Sequence, residues 1–592
     1  MNVSFTEEID TMELFRQLGY VFTGKQRWKM AGIFFLQFIE TLMDFFSISL
    51  ILPFVSIITS GDHMQNASWY ILINRICGAG EPQEILLILT LSMIGLYVVK
   101  NLYVLLLTNI RIRFISTNQI RMGSRMIDCY MHKPYTFHLQ RNTAQIVRNV
   151  NSDVSGAFSV ISNLFSLVSD ILIILILVVF LFAVDTKMTL AIMCGLAFCS
   201  ALYFLVVRKM IRQAGEHNRE YGAKMIKAIQ QAMGGIKEVK TMGREAYFAG
   251  VYKDAGTEFV ERRRKYHILA AIPGRLIETV CMGSILGVIA YKIHVGENLA
   301  EVVPSLSAFA VAAVRLLPRA NAINNHINGI TYNMPSLRAI YEDLTESDRL
   351  EAERLKDIEE RRKNPKAKEQ DGNIRIENIS FTYPETEKPV LENINIRIEK
   401  GTSVGIVGVT GAGKTTLVDL VLGLLKPDQG RICFGSMDIH EDYPLWQERI
   451  GYIPQTIYMT DDTIRKNVAL GVPDEEIDDE AMWRALENAQ LADFVRGLKD
   501  GADTVIGERG VRVSGGQRQR IGIARALYRD PEILFFDEAT SSLDNDTENA
   551  VMDAINTLGS NKTMIIVAHR LTTIEKCDRV FRVVDGGVEI VR

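Results

Sequence analysis

"TSVGIVGVTGAGKTTLVDLVLGLL" (402–425) decides how the second half of this 592-residue chain folds. The β-branched run "SVGIVG" reads as a buried strand, "TTLVDLVLGLL" as a helix, and the glycine-rich "GVTGAGKTT" (408–416) as the loop between them. Strand, GxxxxGK[ST] and helix in that order form a phosphate-binding loop. Gly408, Gly411 and Gly413 let backbone N–H groups curl around a β-phosphate. Lys414 reaches the β/γ oxygens, Thr415 is placed to ligate Mg²⁺, and Thr416 beside it joins the nucleotide contacts. The ligand expected is a nucleoside triphosphate.

Downstream, "PEILFFDEAT" (531–540) is an apolar strand ending in two carboxylates. Asp537 is placed to hold Mg²⁺ and Glu538 to polarise an attacking water. Other short apolar runs, "RIGYIPQ" and "TMIIVAH", alternate with helical patterns, which predicts a parallel α/β sheet.

The first half is different in kind. Apolar runs near 30–58, 85–110, 157–183, 188–207, 267–291 and 304–330 are each long enough to cross a hydrocarbon core of about 30 Å as a helix. Segment 111–150 holds seven Lys/Arg and segment 208–265 holds fourteen, while the loops at 59–84, 184–187 and 292–303 hold one each. The excess of positive charge puts the two basic segments, and both termini, on the cytoplasmic side. The early acids Glu7, Glu8, Asp10 and Glu13 are unlike the basic start of a cleavable signal. "MELFRQLGYVF" has the pattern of an amphipathic helix, lying along the inner surface or packing on the first span. "NASWYILINRI" (66–76) has the aromatics of an interfacial helix. The fold class expected is an all-α membrane domain of six helices (1–345), a charged linker (346–371) and an α/β P-loop nucleotide-binding domain (372–592).

A net charge of -4 carries no signature for nucleic acid, and none is expected as a partner. The seven cysteines form no CxxC pair and no cluster with His, which argues against a zinc site or a disulfide framework.

"VSGGQRQRIGIARAL" (513–527) then sets the family. The chain resembles ATP-binding cassette (ABC) transporters, whose signature usually begins with leucine where Val513 stands. The resemblance implies that Ser514, Gly515, Gly516 and Gln517 face the γ-phosphate of ATP held by an opposing subunit. It places Tyr383 of "FTYPE" on adenine, Gln455 of "YIPQ" on Mg²⁺, Asp544 of "SSLD" in the loop coupling two sites, and His569 of "IIVAHRL" at the γ-phosphate. Six helices ahead of one cassette resemble a half-transporter of the exporter type, which implies a dimer, here read as a homodimer. "TVIGERG" (504–510) resembles the exporter loop before the signature. Segments 133–154 and 233–248 resemble the two intracellular loops whose coupling helices dock on cassettes.

Four cations lie in the spans. Arg315, about 16 Å below Pro304, sits one turn above Arg319, Arg275 lies roughly 15 Å above Lys265, and Lys100 about 24 Å below Glu84. Burying a guanidinium at mid-bilayer costs roughly 2.5–3.5 kcal/mol, so each needs an acid, water or an anionic ligand. Glu40, Asp44 and Glu278 are candidate acids, and four cations against three acids leave a positive excess. "QFIETLMDFFSISLILPFV" (37–55) and "AVRLLPRANAI" (313–323) are similar to flippases for lipid-linked oligosaccharides. That resemblance implies an anionic polyisoprenyl diphosphate glycan as substrate, Lys100, Arg275, Arg315 and Arg319 as its contacts, and the bacterial cytoplasmic membrane as location. Rival readings are a multidrug, lipid or peptide exporter, and a regulator that does not pump.

Overall fold

The computed structural model describes residues 11–50, 54, 82–184, 186–295, 299–363, 371–384, 386–537, 562–567, 574 and 577–592. For some helical residues, including 195–209, 301–315 and 353–363, the backbone alone is described. The chain divides into two compact units, Met1–Lys133 with Arg141–Glu351, and Pro134–Gln140 with Ala352–Arg592.

Helices alone make the first unit among the described residues. They are α1 (Thr11–Val21), α2 (Gly24–Ser49), α3 (Pro82–Met131), α5 (Thr143–Arg148), α6 (Val154–Val184), α7 (Thr186–Gly234), α8 (Ile236–Thr241), α9 (Glu245–Val295) and α10 (Leu299–Lys363); α4 (Tyr135–Gln140) belongs to the second unit. At 1.5 Å per residue α3, with its 50 residues, is about 75 Å long, far more than a bilayer needs. An apolar stretch long enough to span a membrane and its polar extension are therefore one continuous helix in α3. Among the described residues, Gly24–Ser47, Glu84–Met131 and Thr143–Val179 contain stretches long and apolar enough to cross a membrane. The three later expected spans fall on α7, α9 and α10, where many side chains lie outside the described residues. The outer loop at 66–76 lies outside them entirely.

Chain breaks have local causes. Pro134, lacking an N–H and restricting its predecessor, follows the end of α3. Asn142 opens α5 by accepting the Ala144 N–H at 2.9 Å. A π-helical turn, Asn149–Asp153, joins α5 to α6 and turns two polar side chains inward. Asp153, 1% exposed, accepts from Arg219 Nε and Nη2, both at 3.0 Å, and from Ser336 Oγ at 2.8 Å. Asn149 donates to Tyr130 Oη at 2.9 Å and Asp343 Oδ2 at 3.0 Å. One turn of backbone thus ties α3, α6, α7 and α10 together through buried but satisfied polar groups.

The amphipathic α1 packs on α10. Its Glu13 pairs with Arg338 at 3.1 Å, and Tyr20 meets Tyr341 edge-on while its hydroxyl donates to Asp348. Leu14 and Leu18 on its inner face are buried, and Phe15 stays exposed.

The second unit carries β1 (Ile374–Phe381), β2 (Leu391–Ile398), β3 (Ser403–Gly408), α11 (Lys414–Val421), β4 (Gln429–Phe434), β5 (Met437–Asp438), α12 (Tyr443–Arg449), β6 (Ile450–Ile453), α13 (Ile464–Val468), α14 (Asp479–Asn488), α15 (Ala492–Arg496), α16 (Gly515–Leu527), β7 (Ile533–Asp537), β8 (Thr563–Val567), β9 (Arg579–Val584) and β10 (Gly587–Ile590). A six-stranded sheet runs β10-β9-β3-β8-β7-β6, parallel except at β10, and an antiparallel sheet runs β2-β1-β4-β5. Central strands buried on both faces read as continuous apolar runs, and β7, "ILFFD", is buried at every position. Register matters for the chemistry. Val567 of β8 pairs with Ile406 of β3 on one side and with Asp537 of β7 on the other. Asp537 therefore stands level with the root of the phosphate loop, at the carboxyl ends of parallel strands where such sheets bind ligands.

Candidate nucleotide site and intramembrane charge cluster

The loop after β3 is shaped by its glycines. A Cβ on Gly408 would lie 2.5 Å from the Val583 carbonyl oxygen, and Gly413 caps α11 with φ 100°, a conformation that disfavours other residues. The Lys414 ammonium, on a 7% exposed residue, donates to the carbonyl oxygens of Gly408 at 2.8 Å and Val409 at 3.1 Å. These two bonds hold it across the loop. Thr415 is exposed at the first turn of α11, and Gly411 stands open beside it. Thr416 is buried, with its hydroxyl 3.1 Å from that of Tyr383. Tyr383 packs edge-on against Phe381, ring centroids 5.0 Å apart. This anchors the expected adenine-stacking ring beside the loop.

Asp537 is 8% exposed at the end of β7, with the Tyr452 hydroxyl 3.5 Å from its Oδ2. Sequence reading overlooked Asp419, which lies one helical turn beyond Thr415 on α11. Burial, and then the charge of Asp537, pushes the Asp419 carboxyl up to about 6. Asp419 and Asp537 thus place two carboxyls near the exposed Thr415 at the mouth of the loop, with Gln455 the other residue expected to ligate Mg²⁺. Asp419 was detectable as the lone charge within "LVDLVLGLL".

The signature begins at a helix N-terminus. Ser514 Oγ accepts the Gln517 N–H at 3.2 Å, and the Gln517 side chain accepts the Ser514 N–H at 2.8 Å. S-G-G-Q is thus a capping box, with Gly515 open to solvent-sized approach at the start of α16. Gln455 is exposed in the segment after β6. Glu538, Asp544 and His569 lie outside the described residues.

Three of the four expected intramembrane cations, Lys100, Arg275 and Arg319, have acidic partners among the described residues. Lys100, 8% exposed, is paired with Asp44. Arg275 Nη1 donates to Glu278 at 3.2 Å, as their spacing of three allows. Arg319 Nη1 donates to Asp170 Oδ1 at 2.6 Å, and its Nη2 lies 4.0 Å from Asp44. His326 completes the cluster, with Nε2 3.3 Å from Asp170 and Nδ1 3.0 Å from the Asn163 side-chain oxygen. Packing of Leu316 on Ile173 and Leu177 brings α10 against α6 and delivers Arg319 to the acid. The Arg315 side chain lies outside the described residues. Asp170 is a fourth acid beside Glu40, Asp44 and Glu278, and by sequence count it matches the four cations Lys100, Arg275, Arg315 and Arg319.

Residues 391–541 match the family model described as ABC transporter, and residues 30–298 match that described as ABC transporter transmembrane region. Over 481 residues, 79% of this chain and 78% of the relative, it is 30% identical to an ATP-dependent lipid A-core flippase of Cupriavidus pinatubonensis. The chain belongs to the ABC transporter family. It is an exporter-type half-transporter, with an ATP-hydrolysing cassette coupled to a transmembrane domain. A lipid A-core flippase of Vibrio cholerae is 29% identical over 80% of this chain and 79% of that one. The Escherichia coli K12 protein of that name is 41% identical over 219 residues, 37% of each chain. Among solved structures, a bacterial Atm1-family ABC exporter with ATP bound shares the fold, with a TM-score of 0.72 at 20% identity over 96% of this chain and 94% of that one.

Proposed function

We propose that this ABC exporter works as a homodimer that flips an anionic glycolipid, a polyisoprenyl diphosphate oligosaccharide, from the inner to the outer leaflet of a bacterial cytoplasmic membrane, with both termini cytoplasmic. The carrying observation is Arg319. Its side chain is 40% exposed although it pairs with Asp170. A guanidinium fixed by a buried acid keeps its charge and further N–H donors, which suits bidentate contact with phosphate oxygens. Arg315, one turn away on the same helix, is its natural companion; Lys100 is the weakest of the four substrate candidates, being buried behind Asp44. The names of the relatives, flippases of a glycolipid, support the same class of cargo.

In this reading ATP is held by Lys414 and the loop N–H groups of one subunit and capped by Ser514, Gly515 and Gly516 of the other. Tyr383 stacks on adenine, and Thr416 and Gln517 add polar contacts. Mg²⁺, when bound through Thr415, Asp537 and Gln455, offsets charge on the phosphates. Glu538 orients and deprotonates the attacking water, His569 holds the γ-phosphate, and Asp544 relates the two sites. Closure of the cassettes moves the coupling segments and turns the cavity outward; hydrolysis resets it.

Native mass spectrometry of the membrane-extracted protein tests the cargo. A co-purified polyisoprenyl diphosphate glycan is the expected result. A multidrug or peptide exporter would carry no such lipid and would be stimulated by hydrophobic compounds instead.

A further inference from the structure

A polar cavity of about 390 Å³ opens between α9 and α10, lined by His267, Arg275, Glu278, Asn321 and Asn325. Ala270, Ala271 and Gly274 complete its lining with side chains too small to fill it. A Cβ at Gly274 would lie 2.6 Å from Asn321 Oδ1, so the Asn321 amide packs closely on α9 at this glycine. Positions 267, 271, 274 and 278 share one face of α9, and 321 and 325 share one face of α10. The volume falls within the range of sites that take small organic groups.

The chemistry of this lining is specific. Arg275 and Glu278 neutralise each other at 3.2 Å, so the cavity presents no net charge from them. Two amides, an imidazole and this ion pair each offer donors and acceptors side by side. Hydroxyl groups, which donate and accept at once, match that mixture. A diphosphate, an acceptor alone, would meet the Glu278 carboxylate. We infer that this cavity is a carbohydrate subsite, holding neutral hydroxyl-bearing sugar of the lipid while the phosphates bind elsewhere. The inference rests on the glycolipid reading above and moves Arg275 from the anion contacts to the sugar contacts.

The test uses full-length protein in nanodiscs and two fluorescent probes, a polyisoprenyl diphosphate bearing a short neutral glycan and the same lipid without sugar. Wild type should bind the glycosylated probe about tenfold more tightly, the worth of one to two net hydrogen bonds. Ala271→Trp, which fills the cavity from an exposed position, should bind both probes alike, with affinity for the sugar-free lipid unaltered. Asn325→Leu, also at an exposed position, should lose the preference as well, and carries the test if the tryptophan variant does not fold. Equal binding of both probes by wild type, or a preference that survives in a folded cavity variant, overturns the subsite and leaves the flippase reading standing. Binding of neither probe by wild type overturns both.

Discussion

Arg319 and Asp170 are bound to each other, Nη1 to Oδ1 at 2.6 Å, between helices α10 and α6 and 149 residues apart in the chain. The acid is 3% exposed, and His326 approaches its other oxygen at 3.3 Å. Whatever else Arg319 does, it neutralises this carboxylate.

Arg319→Ala should therefore cost stability before it says anything about transport. Removing one partner of a fully buried pair costs about 3–5 kcal/mol because the other charge is stranded; with Arg319 40% exposed, solvent screens part of that, and the loss should fall below this range. Asp170→Asn combined with Arg319→Ala should recover a large part of the lost melting temperature. Flipping measured in that stable double variant then isolates the substrate role. Normal flipping there would remove Arg319 from the list of lipid contacts.

Lys414→Ala should abolish tight ATP binding while leaving the cassette folded. Its ammonium contacts only loop carbonyls in the described structure, and those can be hydrated when it is gone. Titration with a fluorescent ATP analogue, alongside a thermal melt, checks both halves of the expectation.

Glu538→Gln should still bind ATP but slow its hydrolysis at least a hundredfold, within the range of about 10²–10⁴ for a positioned general base. Turnover near the wild-type rate in purified protein would contradict the role given to Glu538.

Tyr383→Ala should weaken ATP binding about five- to a hundredfold without abolishing it, since stacking is worth about 1–3 kcal/mol. Tyr383→Phe should bind almost as wild type does, because the hydroxyl reaches Thr416 and not the stacking face. Complete loss of binding in the alanine variant would mean that adenine sits elsewhere.

Asp419 sets a pH dependence. Its carboxyl titrates at about 6 in the folded cassette against an ordinary value of 3.8. Between those values the folded state holds more protons than the unfolded state, so stability falls as pH rises from about 4 to 6. Asp419→Asn should flatten that slope and raise the melting temperature of the nucleotide-free protein at pH 7.5 more than at pH 5. An equal change at both pH values would show that the acid is not held protonated by burial.

The cassette was legible in the sequence because its chemistry is local. A phosphate loop, a strand-end aspartate and a signature capping box each occupy a few consecutive residues, and backbone geometry alone puts "GVTGAGKTT" between a strand and a helix. Length and hydropathy likewise marked the apolar stretches within Gly24–Ser47, Glu84–Met131 and Thr143–Val179, because a span is a property of one segment. What only the tertiary structure decided is which charges meet. Asp170 lies in an apolar span and gave no local signal of a partner, yet packing of Leu316 on Ile173 and Leu177 brings Arg319 to it. The same holds for Asp153 with Arg219, and for α1 against α10. Coulomb attraction in a low-dielectric interior depends on separation in space, and separation in space between helices is set by how their side chains interlock, not by their spacing along the chain.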